Sequence, residues 1–93
     1  MSEYSLYILR CADGSLYTGI AVDVERRIQE HETGQRGAKY LKGRGPLTLE
    51  FERSVGDRGT AQSAEHRVKR LDRAGKEDLL AGRLLLDDLL TRV

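Results

Sequence analysis

A chain of 93 residues holds one domain with a modest core and leaves no room for separate catalytic and targeting domains, so specificity has to come from this domain or a partner. Its 39% hydrophobic and 33% charged residues are those of a soluble globular protein and exclude the low-hydrophobicity, high-net-charge composition of disordered chains. A net charge of +1 argues against a strong general binder of nucleic acid. The positive charge is nevertheless gathered mid-chain: 35–45 carries four basic residues and no acid, 65–76 five against two, and 77–93 only two against four.

The first residues predict neither a signal peptide nor a membrane span, because Glu3 precedes any Lys or Arg and the short apolar run is broken at Arg10. From Tyr4 to Cys11 the chain is aromatic and β-branched enough for a strand, and Leu16 to Ile20 reads the same way, so the two form a hairpin. Its loop length sets which faces meet, since a one-residue slip in register reverses every side chain. A two-residue turn at Asp13-Gly14 would send Tyr7 and Tyr17 to opposite faces. The favoured register has a three-residue loop with Gly14 in the left-handed conformation, which pairs Tyr7 with Gly19 and sets Tyr17 diagonally beside Tyr7. Cys11, the one cysteine, has no disulfide partner and no zinc-ligand spacing around it. It reads as a small buried strand residue, and a reducing cytoplasm is the simple setting.

Asp23 can cap a helix running to about Glu32, with Gly34 as its stop. Val24 and Ile28 supply its buried stripe, and Arg27 and His31, four apart, lie one residue round, at the edge of the core and bordering a cleft. The Gly-rich basic stretch to Pro46 reads as a loop. After it Leu47, Leu49 and Phe51 alternate with Thr48, Glu50 and Glu52, which predicts a third strand with one wet face. The turn Gly56-Asp57-Arg58-Gly59 follows. Thr60 is then expected to cap a helix through Ala74, stopped by Gly75, with Ala61, Ala64, Val68 and Leu71 on its apolar face. The leucines beyond predict one or two short closing helices. The fold class is thus α/β (α+β): a small three-stranded, mostly antiparallel sheet flanked by helices, in the order β-β-α-β-α-(α).

With tyrosines at both hairpin positions, this order resembles the GIY-YIG nuclease family, and within it the small stand-alone bacterial members. The resemblance runs from about Tyr4 to Leu80, with 81–93 as a helical extension of one domain spanning 1–93. Its motifs are Ser5-Leu6-Tyr7 with Ile8, Tyr17-Thr18-Gly19, Asp23-Val24-Glu25-Arg26-Arg27 with His31, Gly37-Ala38-Lys39-Tyr40, and Ala64-Glu65 with Lys69. Either tripeptide alone is a weak signal; all of them in order are strong. The chain departs from the pattern at Ser5, where the family has glycine, at Thr18, and at Ile20, where the excision-repair branch has lysine. It also lacks asparagine, which several members use late in the domain; Lys76 is the candidate substitute.

The resemblance implies that Tyr17 lies beside the attacking water as base or positioning group with Tyr7 assisting, that Arg27 holds the scissile phosphate, and that Glu65 binds one divalent cation, Mg²⁺ or Mn²⁺. His31 is then a relay for a phenol that, at a pKa of about 10, is a poor base alone. Arg36, Lys39, Tyr40, Lys42 and Arg44 are the expected substrate-binding residues, and Gly19 is structural. The chemistry is sound independently: a guanidinium fork and a cation neutralise the charge of a phosphodiester in attack, and Mg²⁺ suits a lone carboxylate because it keeps most of its waters. Glu65 is the most informative position, since it lies on or beside the apolar stripe of its helix, where a bare carboxylate is costly unless paired or metal-bound. The plainer account is an ordinary helix pair with Lys69.

The expected function is a metal-dependent endonuclease hydrolysing DNA, on structured or branched substrates in repair or recombination. The alternative is an inactive nucleic-acid-binding or adaptor module of the same fold. A third reading is a partner-binding domain that uses the leucine-rich C-terminus, where Leu84, Leu85, Leu86, Leu89 and Leu90 exceed what one helix stripe needs, some of them forming a homodimer interface.

Overall fold

A computed structural model describes residues 3–34 and 41–91. Strands β1 (Tyr4–Arg10) and β2 (Leu16–Ala21) are followed by helix α1 (Val24–Thr33), strand β3 (Thr48–Gly56) and helices α2 (Arg58–Lys69), α3 (Arg73–Ala81) and α4 (Leu86–Thr91). The sheet order is β2-β1-β3 and both pairings are antiparallel.

The central strand β1 is covered on both faces, which explains its uninterrupted apolar run: Leu6, Tyr7, Ile8 and Leu9 are at most 1% exposed. Leu6 and Ile8 point to one side and pack with Val68, Leu79, Leu86 and Leu89 from α2, α3 and α4. Tyr7 and Leu9 point to the other and pack with Val24 of α1, Cys11 and Leu41. Period-two alternation in one strand therefore seeds two cores, one on each side of the sheet.

The hairpin adopts the three-residue loop. Cys11 and Ser15 close it through N–H to O at 2.8 Å, Gly14 has φ 86°, and Tyr7 pairs with Gly19 while Leu9 pairs with Tyr17. Cys11, buried and free, sits just past the end of β1. In α1 the Asp23 carboxylate accepts from the Arg26 N–H, and Gly34 ends the helix in the left-handed conformation at φ 78°.

The third strand differs from its simple alternation. Ile8 pairs with Phe51 but Leu9 pairs with Leu49, so Glu50 is an extra residue, a bulge. The bulge turns Phe51 toward the core of α2 to α4 and leaves Leu49 on the α1 side, 40% exposed. Arg10, at the end of β1, holds the bulged Glu50 at 2.8 Å and Glu77 of α3 at 3.0 Å, tying three elements at one corner.

The helix expected from Thr60 to Ala74 is two helices. Asp57, not Thr60, caps α2 by accepting from the Thr60 N–H at 2.8 Å, and α2 ends at Lys69. Asp72 then caps a new helix by accepting from the Gly75 N–H at 2.7 Å. Gly75 is thus in the first turn of α3 and not a stop, and a Cβ there would lie 3.2 Å from the Leu71 Cβ. The left-handed stop is Gly82, at φ 81°. An aspartate able to take the N–H three residues on can start a helix wherever it falls, even inside an apolar-periodic run. Of the C-terminal leucines, Leu86 and Leu89 are core residues, Leu84 and Leu90 pack against them, and Leu85 is 56% exposed. Among the described residues no helix is long and apolar enough to cross a membrane.

Candidate active site

The site starts from Tyr7. Its place on β1 sends it to the α1 side, where it is 1% exposed, and its ring runs across the backbone of Gly19 on the neighbouring strand. A Cβ at Gly19 would lie 2.5 Å from the phenol oxygen and 3.1 Å from Cε2 of Tyr17, so only glycine leaves this path open. The Tyr7 oxygen then lies 2.9 Å from Nε2 of His31, near the C-terminal end of α1. His31 is 3% exposed, more deeply placed than the edge position its spacing predicts, because it follows Val24 by two helical turns onto the same face. Tyr17 completes the aromatic cluster, edge-on to His31 with ring centroids 5.5 Å apart and 6.4 Å from Tyr7.

These contacts decide protonation. Burial, then the neighbouring Tyr17, holds the Tyr7 phenol well above its ordinary value; the charge and hydrogen bond of Arg27 pull the other way, and Glu65 is close enough for its negative charge to add to the rise. Burial, then the Arg27 charge, holds His31 below its ordinary 6.5, with Glu30 opposing. At neutral pH Tyr7 is therefore protonated and His31 neutral, and the imidazole tautomer sets which of the two donates across their 2.9 Å contact.

Arg27, one turn before His31 on α1, is held by Glu30 with Nη1 3.0 Å from Oε1. Glu30, which also lies 3.7 Å from Arg26, is a member of the site that the sequence motifs do not pick out. Its only signal is the three-residue spacing that lets acid and guanidinium meet on one helix face.

Glu65 arrives from the opposite side of the sheet. Helix α2 packs with its Ala61, Ala64 and Val68 face inward, and Glu65 flanks that face beside β2, an edge strand. Its side chain is 23% exposed and its Oε2 takes the Lys69 ammonium at 3.2 Å. The helix pair with Lys69 and proximity to Tyr7 are thus both present.

Of the expected substrate-binding residues, Lys42 and Arg44 are among those described. Lys42 is exposed and lines, with His31, Leu41 and Leu47, a cleft of about 440 Å³ at the end of α1. Arg44 reaches Asp13 in the hairpin loop at 2.7 Å, and its carbonyl accepts from the Ala12 N–H at 3.0 Å, so it clasps the loop before β3 to the hairpin. Arg36, Lys39 and Tyr40 lie outside the described residues.

The donor set can be tested against a divalent cation. Among the described residues no three His, Cys, Asp or Glu side chains gather into a metal cage, and Glu65 offers a single hard oxygen donor group at the rim of the cluster. That fits a cation whose remaining positions are water and phosphate oxygen, as Mg²⁺ and Mn²⁺ prefer, and does not fit a closed structural zinc site.

Comparison with known proteins places the chain in a family. The profile of the GIY-YIG catalytic domain matches residues 3–78, and the chain belongs to the GIY-YIG family of nucleases. It is 50% identical over 91 residues to the UPF0213 protein YhbQ of Escherichia coli O1:K1, covering 98% of this chain and 90% of that protein. It is 54% identical over 81 residues to YhbQ of Escherichia coli O139:H28, covering 87% of this chain and 80% of that one. Two solution structures share the fold: the UPF0213 protein BH0048 from Bacillus halodurans, with TM-score 0.57, 40% identity and coverage of 98% and 96%, and EF2693 from E. faecalis, with TM-score 0.62, 36% identity and coverage of 89% and 88%.

Proposed function

We propose that the chain is a divalent-metal-dependent endonuclease that hydrolyses DNA phosphodiesters by attack of water at phosphorus, preferring structured or branched substrates. The observation that carries this reading is the Tyr7 phenol held across Gly19 onto His31, with Tyr17 and Arg27 around it. One buried aromatic pair would not need a neutral imidazole, a guanidinium and an outlying carboxylate in reach. Arg27, braced by Glu30, binds the non-bridging oxygens of the scissile phosphate. Tyr17 orients the attacking water. Tyr7 accepts a proton from that water while passing its own to Nε2 of His31, so no free phenolate accumulates. Glu65 holds the cation, which when bound supplies charge neutralisation at the phosphate and leaving oxygen. Buried Cys11, with no partner thiol in the chain, fits a cytoplasmic setting.

The test is cleavage of supercoiled plasmid and of branched duplexes with Mg²⁺ or Mn²⁺, alongside Tyr17→Phe and Glu65→Gln. Products with the parent and none with either variant are expected. No cleavage of any substrate, or undiminished cleavage by the variants, rejects the reading.

The Glu65–Lys69 ion pair favours a second reading, a binding module without turnover, because it occupies the acid without a metal. That reading expects salt-sensitive DNA binding that persists in EDTA and in Glu65→Gln, with no products after long incubation.

A further inference from the structure

Tyr17 belongs to two neighbourhoods. On one side it meets Tyr7 and His31; on the other it forms, with Leu16, Thr18, Lys69 and Lys76, a pocket of about 370 Å³ open at the β2 edge of the sheet. Among the described residues no acid lines this pocket, and two lysines do. They come from the end of α2 and the first turns of α3, and they share one pocket because Asp72 starts a new helix between them.

The two lysines differ. Lys69 is exposed and engaged with Glu65. Lys76 is half-buried, the only described lysine that is. Most described arginines reach a carboxylate, Arg10 and Arg73 both meeting Glu77 beside Lys76 in sequence, but no described carboxylate reaches the Lys76 ammonium. With its stem half-buried on the pocket wall and no described carboxylate in reach, the Lys76 ammonium is left for an anionic ligand.

We propose that this pocket is a second phosphate subsite, in which Lys76 receives a phosphodiester of the same nucleic-acid strand next to the one presented to Arg27, with Lys69 also lining the subsite. This deepens the nucleic-acid reading of the site and rests on it. A strand leaving the Tyr7–Arg27 centre over the exposed edge of β2 passes Tyr17 and enters the pocket. The subsite therefore fixes the register of the strand across the centre and not the chemistry of attack.

The experiment measures binding of a twelve-residue oligothymidylate in EDTA across a salt series, for the parent chain, Lys76→Met, Lys76→Arg and Arg53→Gln. Arg53 is a charge control on β3, the opposite edge of the sheet, where it pairs with Asp87. Loss of one phosphate contact is expected to lower the slope of log K against log salt by roughly 0.7. Lys76→Met should show that drop with an affinity loss of roughly three- to tenfold, Lys76→Arg should restore both, and Arg53→Gln should keep the parent slope. Thermal melting shows that each variant is folded. In cleavage assays Lys76→Met should raise KM more than it lowers kcat. A parental slope and affinity in folded Lys76→Met overturn the subsite even if the parent cuts plasmid, and equal slope losses in Lys76→Met and Arg53→Gln overturn it as a general charge effect. A Lys76-specific loss in a chain that never cuts upholds the subsite and rejects only the nuclease reading.

Discussion

The phenol of Tyr7 passes so close over Gly19 that a single added methyl there would lie 2.5 Å from its oxygen, inside any permitted contact. Gly19→Ala is therefore expected to push the phenol away from His31 and lower cleavage by about 100-fold, the scale on which catalytic geometry is lost when a reacting group shifts by an ångström. The overpacking should cost about 1–3 kcal/mol of stability. Urea denaturation and plasmid cleavage on one preparation check both; parental activity would mean that the Tyr7–His31 contact is not used.

Activity should depend on neutral His31. Its pKa is held below 6.5, so the rate should rise with pH through a midpoint under that value and be flat near neutrality. A rate that keeps climbing toward pH 10 would assign the base to a tyrosinate instead. Stability has the same sign. The unfolded chain takes up the proton first as pH falls, so the contribution of neutral His31 is complete above 6.5 and declines below it. Melting between pH 7 and 5 should show that decline, and His31→Gln should remove its histidine part.

Glu65 is held by Lys69, and the proposed function makes it the ligand of the cation as well. Lys69→Met removes the competing ammonium and should tighten Mn²⁺ binding by a few fold, while Glu65→Gln should weaken it at least tenfold. Electron paramagnetic resonance of Mn²⁺ reads both without requiring turnover. Unchanged Mn²⁺ affinity in Glu65→Gln would place the cation elsewhere.

The C-terminal leucines should divide by burial. Leu86→Ala and Leu89→Ala empty core positions and should each cost about 2–4 kcal/mol, whereas Leu85→Ala, at 56% exposure, should stay within about 0.5 kcal/mol. Because the other four leucines are spent within the chain's own core, sedimentation at two concentrations is expected to show a monomer; a concentration-dependent dimer sensitive to Leu85→Ala would reverse this.

Much of the architecture was legible in the sequence because it depends on interactions between residues a few positions apart. The left-handed Gly14, the period-two run of β1, and the Asp23 cap with its Gly34 stop are of this kind, and with them the hairpin register and the helix carrying Arg27 and His31 followed. Features that misled were also local but ambiguous: Asp57 and Asp72 both outcompeted Thr60 and Gly75 as helix signals, and only packing of α3 against Leu71 and Glu77 against Arg10 selects the break at Asp72. The bulge at Glu50 had no local mark either, since it arises from pairing with β1.

The sequence by itself determined which side chains each strand and helix can present. Tertiary structure alone decided how they meet: Glu65 of α2 brought close enough to act on Tyr7, Glu30 bracing Arg27, Arg44 turned toward Asp13, and Lys76 placed beside Tyr17 with no described carboxylate in reach. The reason is physical. Helical and strand periodicity assign a residue to a face, but the partner on the other side of that face is set by how the layers stack, which no spacing along the chain encodes.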